Sequence, residues 1–308
     1  MTEPLITIAP DEAGKSFLLG PVLFQHRFSE HPLFTDQGLA AIIDGHPDDL
    51  TDLNINRFNE AGQMTKLLTG DRNGMSGADM LQAIGRGELW INLRHVNETH
   101  AGIGALMEEM QAALVAHNKR FKGARLYTNL LISAPNAKVP YHADQPEVML
   151  CHVRGAKRIW IYPNGGRHLP DEHFEKVVLK ETTEDLPYDR SYDDDAKVFD
   201  LAPGQAVAWP PNAPHRVENL GTVNVSLSIE YMTWDSRRRL GAYYVNGLMR
   251  RMGFRPQPVA GLSPLGVAAR WALSVPLKRL GLHKGKQMVF EREFELAADA
   301  AEGVRQRA

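Results

Sequence analysis

A single cysteine, Cys151, in a chain of 308 residues excludes an internal disulfide and any thiolate zinc site. It points to a reducing compartment, the cytoplasm by default. No stretch approaches the roughly 18 uninterrupted apolar residues that cross a bilayer, and Met1 to Lys15 shows no basic segment leading into an apolar run. Neither a membrane span nor a secretion signal is therefore expected. No internal repeat recurs, which excludes solenoids and propellers. Charge of one sign is missing from the whole chain, since 35 Lys and Arg face 37 Asp and Glu, but locally the balance breaks. Ser236 to Lys286 holds eleven basic residues and no acid, whereas Asp171 to Asp200 holds eleven acids against four bases. The ordinary reading is a homodimer whose basic C-terminal helices pack against the acidic stretch. Nucleic acid or an acidic partner on residues 236–286 is the other. No helix-turn-helix or zinc motif accompanies the basic segment.

What is present is a chain in three zones. Residues 1–122 form a mixed α/β region contributing to the core. Helical spacing runs over Asp36 to Ile43, Ala78 to Ile84 behind a Ser76 cap, and Ile103 to Leu114, with strand-like runs at Asn54 to Phe58 and Leu89 to Val96. Residues 123–234 carry short strand-like runs, Leu126 to Ser133, Val148 to Val153, Arg158 to Tyr162, Lys197 to Leu201, Ala206 to Trp209 and Val223 to Tyr231. Turn residues punctuate them, as expected of an antiparallel sandwich or barrel. Residues 235–308 return to helical spacing, through Leu240, Tyr243, Tyr244, Leu248 and Met252 and again around Leu265 to Leu280, where Pro276 is expected to kink or end the helix. Val289 to Leu296 reads as a short strand or helix, and the last dozen residues as frayed.

The residues that carry chemistry lie in the middle zone. His142-Ala143-Asp144 follows a strand and a loop, and His215 stands just past a later strand and a proline-rich bend. Two imidazoles and one carboxylate cap one face of an octahedral metal and leave adjacent positions open, the set used by non-haem Fe(II) oxygenases. The triplet alone is a weak signal, because His46-Pro47-Asp48 has the same spacing; that copy reads as a turn after a short helix. Strand context favours the Asp144 copy.

Three segments, Tyr141-His142-Ala143-Asp144, Gly155-Ala156-Lys157-Arg158-Ile159-Trp160-Ile161-Tyr162-Pro163 and Pro203-Gly204 to His215, make this chain resemble the cupin superfamily. Within it the likeness is to the JmjC-like or cupin-like 2-oxoglutarate oxygenases, a group that includes the asparaginyl hydroxylase inhibiting hypoxia-inducible factor. The resemblance implies a mainly β fold with flanking α, a double-stranded β-helix (jelly-roll) core, and helices beyond it through which relatives often dimerise. It implies Fe(II) held by His142, Asp144 and His215, with 2-oxoglutarate as cosubstrate bound at its distal carboxylate by Lys157, and dioxygen as co-reactant. The primary substrate stays open among proteins, nucleic acids and small molecules. The second cupin motif is met by Gly204, Pro210, His215 and Asn219, with Asn212 where a glycine is usual; Asn can take the left-handed turn required there. Val139 and Val148 replace a hydroxyl residue and an asparagine of the better-known relatives. Tyr127, Asn129 and Ser228 are the candidates for the missing hydrogen bond to the cosubstrate.

Blander readings stand beside these. His152 reads as a packed structural histidine, and Glu147, near the position of a cupin glutamate ligand, as an outsider to the metal set. Two other functions stay open: a metal-binding cupin enzyme that does not use 2-oxoglutarate, and a non-catalytic cupin-like regulator. The acidic stretch 171–200 is expected to border the site mouth, where it could select a basic or peptide substrate.

Overall fold

Alternation of apolar and polar residues in the middle zone produces eight antiparallel strands in two facing sheets. The computed structural model describes residues 3–13, 15, 17–282, 291–300 and 302–307. Gln205–Ala208, Glu147–Arg154, Asn224–Tyr231 and Leu126–Ser133 lie side by side in one sheet, and Lys197–Leu201, Lys157–Ile161, His215–Asn219 and Lys138–His142 in the other. The chain passes back and forth between the sheets, which is the double-stranded β-helix. Two-residue periodicity decides which side chains face the space between them. On Asn224–Tyr231, Val225, Leu227, Ile229 and Tyr231 enter the large outer core, which leaves Ser226, Ser228 and Glu230 facing the barrel. On Glu147–Arg154, Met149, Cys151 and Val153 go outward while Val148 and Leu150 join Ile159, Ile161, Val207, Trp209 and Val217 in the barrel lining.

The N-terminal zone is continuous with this barrel. Trp90–Leu93, Thr51–Phe58 and Met64–Asp71 extend the larger sheet beyond Leu126–Ser133, and Val22–His26 adds to its other side against Gln205–Ala208. Helices Asp36–Gly45, Gly77–Ile84 and Ala101–His117 cover its outer face. Ser76 caps the second of these helices, accepting from Asp79 N at 3.2 Å. His46 terminates the first, so His46-Pro47-Asp48 is a turn, as its composition indicates. The strands Val22–His26 and Met64–Asp71 were not anticipated from the sequence.

Tyr162 to Ala196 leaves the smaller sheet as a long excursion with one helix, Asp171–Val178, and forms a second core with the C-terminal helix Trp234–Arg251. The helix Pro264–Arg279 packs against the latter. Pro276 does not end that helix, which runs on to Arg279: its own carbonyl still accepts from Leu280 N at 3.0 Å, so a last turn forms beyond it. Among the described residues of the last dozen, Val304–Gln306 is a strand where fraying was expected. Arg292–Leu296 pairs in parallel with Met64–Asp71 and antiparallel with Val304–Gln306; residues 289 and 290 lie outside the described residues.

Candidate metal and cosubstrate site

His142 ends one strand of the smaller sheet and His215 begins its neighbour, and the two pair directly in register. Their rings stand 4.1 Å apart at the centroids. Each ring places Nδ1 on the carbonyl two residues before it, Pro140 O at 2.8 Å and Ala213 O at 3.2 Å. A carbonyl only accepts, so each proton sits on Nδ1 and each Nε2 presents a lone pair. Both lone pairs face Asp144, at 3.6 Å from His142 Nε2 and 3.4 Å from His215 Nε2. The three ligand atoms lie within 4.8 Å of one another.

Asp144 has no Lys or Arg partner among the described residues. Burial pushes its carboxyl above the usual range, only partly offset by His142, and burial with His142 holds His215 well below an ordinary histidine. A carboxylate and two imidazole lone pairs converging without a positive charge are the donor set of a divalent cation, so the residues fit the metal that the sequence implies. Asn212 holds the two ligand segments together. Its backbone takes the left-handed conformation, φ 60°, and its Nδ2 donates to Asp144 O at 2.9 Å and Gln145 O at 3.1 Å. A glycine would supply the turn but not the tie.

The excursion closes over the ligand loop. Ala143 N donates to Glu184 O and Leu186 N to Tyr141 O, and Gln145 N donates to the Glu184 carboxylate at 3.2 Å. Burial and then the neighbouring Asp144 push both Glu184 and Glu230 up to about 7. Sequence reasoning missed both. Glu230 lies on the barrel face of its strand, and Glu184 reaches the site only through the fold of the excursion.

Lys157 opens the strand next to His215–Asn219, four residues from Ile161, the partner of His215. It is buried, and its ammonium donates to Ser226 Oγ at 2.9 Å. No carboxylate pairs with it among the described residues, and burial brings it down to about 8. The hydroxyl bonded to Lys157 is that of Ser226, two residues from the Ser228 singled out in the sequence. The two serines share a face, and nothing in the residue pattern separates them. Ser228 is half-buried beside Asn129 and Leu150. Asn129 is committed elsewhere, its Oδ1 accepting from His95 N at 3.1 Å and its Nδ2 donating to Glu230 at 2.7 Å. Tyr127 packs edge-on against His95 and under the Arg125 guanidinium. Glu147 lies outside the metal set: it is buried against Arg120 at 2.8 Å and the Thr233 hydroxyl.

No protein-family profile and no curated protein sequence matches the chain. Solved structures do. The X-ray structure of YcfD from Escherichia coli superposes with a TM-score of 0.51 at 16% identity, covering 92% of this chain and 70% of that one. YcfD described as a ribosomal oxygenase, in complex with cobalt and 2-oxoglutarate, superposes with a TM-score of 0.50 at 16% identity, covering 90% and 69%. At such identities the likeness is one of fold, and it establishes the jelly-roll architecture that the sequence indicated.

Proposed function

We propose that the protein is an Fe(II)- and 2-oxoglutarate-dependent oxygenase that hydroxylates a C–H bond of a separate substrate. The observation that carries this reading is the convergence of His142 Nε2, Asp144 and His215 Nε2 in a barrel that also buries Lys157, with no counter-ion among the described residues. The fold neighbour solved with cobalt and 2-oxoglutarate supports it. When bound, Fe(II) and 2-oxoglutarate supply the oxidising chemistry: one atom of dioxygen enters the substrate and the other enters succinate as carbon dioxide leaves. His142 and His215 offer Nε2 because the carbonyls of Pro140 and Ala213 hold their Nδ1 protons. Asp144 supplies the negative charge, Lys157 pairs with the distal carboxylate, and the apolar lining of Leu150, Ile159, Val207 and Trp209 excludes water. Glu184 and Glu230 make the surroundings acidic, which favours a substrate carrying a basic group.

The test is a titration of the protein with Fe(II) and then 2-oxoglutarate under nitrogen, followed by oxygen admission. A metal-to-ligand charge-transfer band that is absent in Asp144→Ala, and succinate release with oxygen uptake, are expected. Metal binding without the band or succinate leaves a cupin enzyme of another kind.

A homodimer through the C-terminal helices is part of the same proposal. Leu265, Leu280 and Trp234 stand 80%, 73% and 62% exposed there, and light scattering of the wild type and Leu265→Glu tests it. The basic segment is partly spent within the chain: Arg250 pairs with Glu175 and Arg251 with Glu181, so the acidic and basic stretches meet in one molecule. Lys284 and Lys286 lie outside the described residues. A nucleic-acid or acidic partner for the remaining cations is tested by salt-dependent retention on heparin. No helix of the described residues is long and apolar enough to cross a membrane, and the buried, unpaired Cys151 fits a cytoplasmic setting.

A further inference from the structure

Val139 packs with the apolar barrel lining, so position 139 offers no hydroxyl to an anion. Another strand provides one. Lysine only donates, so Ser226 Oγ accepts from Lys157 at 2.9 Å, and the single hydrogen of Ser226 is left to face His152 Nδ1 at 3.1 Å. His152 then carries its own proton on Nε2, which is buried with no partner among the described residues. The ring is fully buried. His26, from Val22–His26, lies near it with a similar orphan: its Nδ1 accepts from Phe28 N at 3.2 Å, and its buried Nε2 has no partner. Lys157, His152 and His26 are the titratable groups of this end, Gln205 is the polar neighbour on the strand flanking His152, and no carboxylate acts on His152. Backbone carbonyls of Gly155, Gln205 and His152 act on the two rings, but no carboxylate pairs with the buried Lys157 ammonium among the described residues, the charge that an anion corrects.

We propose that Lys157, Ser226 and His152 form one receptor for the distal carboxylate, in which Ser226 supplies the hydroxyl missing at position 139 and His152 is a positioning residue that directs the Ser226 hydrogen. The proposal rests on the 2-oxoglutarate reading above. While His152 is neutral it accepts the Ser226 hydrogen, and Ser226 offers nothing to a ligand. When His152 gains a proton, Nδ1–H donates to Ser226 Oγ and the Ser226 hydrogen turns to the carboxylate. A proton on His152 and an anion at Lys157 therefore favour each other, and each must raise the affinity of the other. Burial holds the free His152 down to about 4, so the ring is neutral before the anion arrives.

The experiment is calorimetric titration of 2-oxoglutarate into Mn(II)-loaded protein, at pH 6 in buffers of different ionisation heat and again at pH 7. At pH 6 Lys157 is already charged, so its titration adds nothing. Wild type is expected to take up a fraction of a proton at pH 6. His152→Gln, which can accept from Ser226 but cannot gain a proton, is expected to bind with an uptake smaller than that of wild type, what remains coming from Glu184 and Glu230. Ser226→Ala, which lacks the hydrogen that a protonated His152 turns to the carboxylate, is expected to lose more affinity relative to wild type at pH 6 than at pH 7. Variants within twofold of wild type in affinity and equal in proton uptake overturn the proposal, as does a wild type whose binding heat is independent of buffer at pH 6, even if a variant fails to fold. A wild type that binds Mn(II) but not 2-oxoglutarate overturns the proposed function itself.

Discussion

The two ends of the barrel are opposites in charge. At one end Asp144, Glu184 and Glu230 gather around two imidazole lone pairs with no lysine or arginine in reach of Asp144. At the other, Lys157, His152 and His26 are buried with no acid paired to them among the described residues. Each end lacks the counter-charge that the other holds, although both belong to one jelly roll. Isolated buried charges oppose folding, so neither end is explained by stability. Under the proposed function a cation at the first and a carboxylate at the second would complete both.

The contrast breaks most completely at Asp144. Asp144→Ala should lower Mn(II) affinity by about a hundredfold or more, read by calorimetry, because the remaining imidazoles carry no charge. Lys157→Met should cost about a hundredfold in 2-oxoglutarate affinity and yet stabilise the unliganded fold by up to about 3 kcal/mol at pH 7 in urea denaturation. The sign follows from the lowered ammonium: the unfolded chain holds that proton until about pH 10.5 and the folded chain only to about 8. The penalty is therefore full below pH 8 and fades as pH rises to 10.5. A loss of stability in Lys157→Met would mean that the lysine is structural.

A control comes from a buried acid that does have its partner. Glu175 is 1% exposed in its side chain and bonded by Arg250 at 2.6 Å, so Arg250→Ala should destabilise by about 2 kcal/mol. Arg251→Ala, at an exposed pair, should cost about 0.5 kcal/mol or less. The histidines add an effect that depends on pH. Both His26 and His152 are held down to about 4 by burial, so the unfolded chain gains protons near 6.5 while the folded chain does not. Stability should fall as pH drops from 6.5 toward 4, by about 1 kcal/mol per ring between pH 7 and 5.5. His152→Gln should remove one ring's share of that fall in urea denaturation, since His46, His100 and His215 are also held down by burial.

The acidic end was the more legible in the sequence. His142, Asp144 and His215 are residue types that carry metal chemistry, and their strand and turn contexts survived in the fold, down to the left-handed Asn212. Lys157 was legible only through resemblance, because a lysine opening a strand is ordinarily solvated. Ser226 could not be separated from Ser228 by alternation, and Asn129, chosen on the same alternation, turned out to be tied to Glu230 and His95 N. Glu184 needed the tertiary path of a long excursion. Met64–Asp71 was missed because its burial does not alternate strictly, and Val22–His26 because a short run has no sheet until Gln205–Ala208 lies beside it.

The excursion 162–196 begins and ends on paired neighbours, Ile161 opposite Lys197. It is a lengthened hairpin, and lengthening a loop whose ends are already held together adds only about 0.6 kcal/mol for each doubling. Evolution can therefore trade one excursion for another without shifting the register of either ligand strand. Under the proposed function, the excursion beside the ligand loop can change while the barrel that carries the ligands stays.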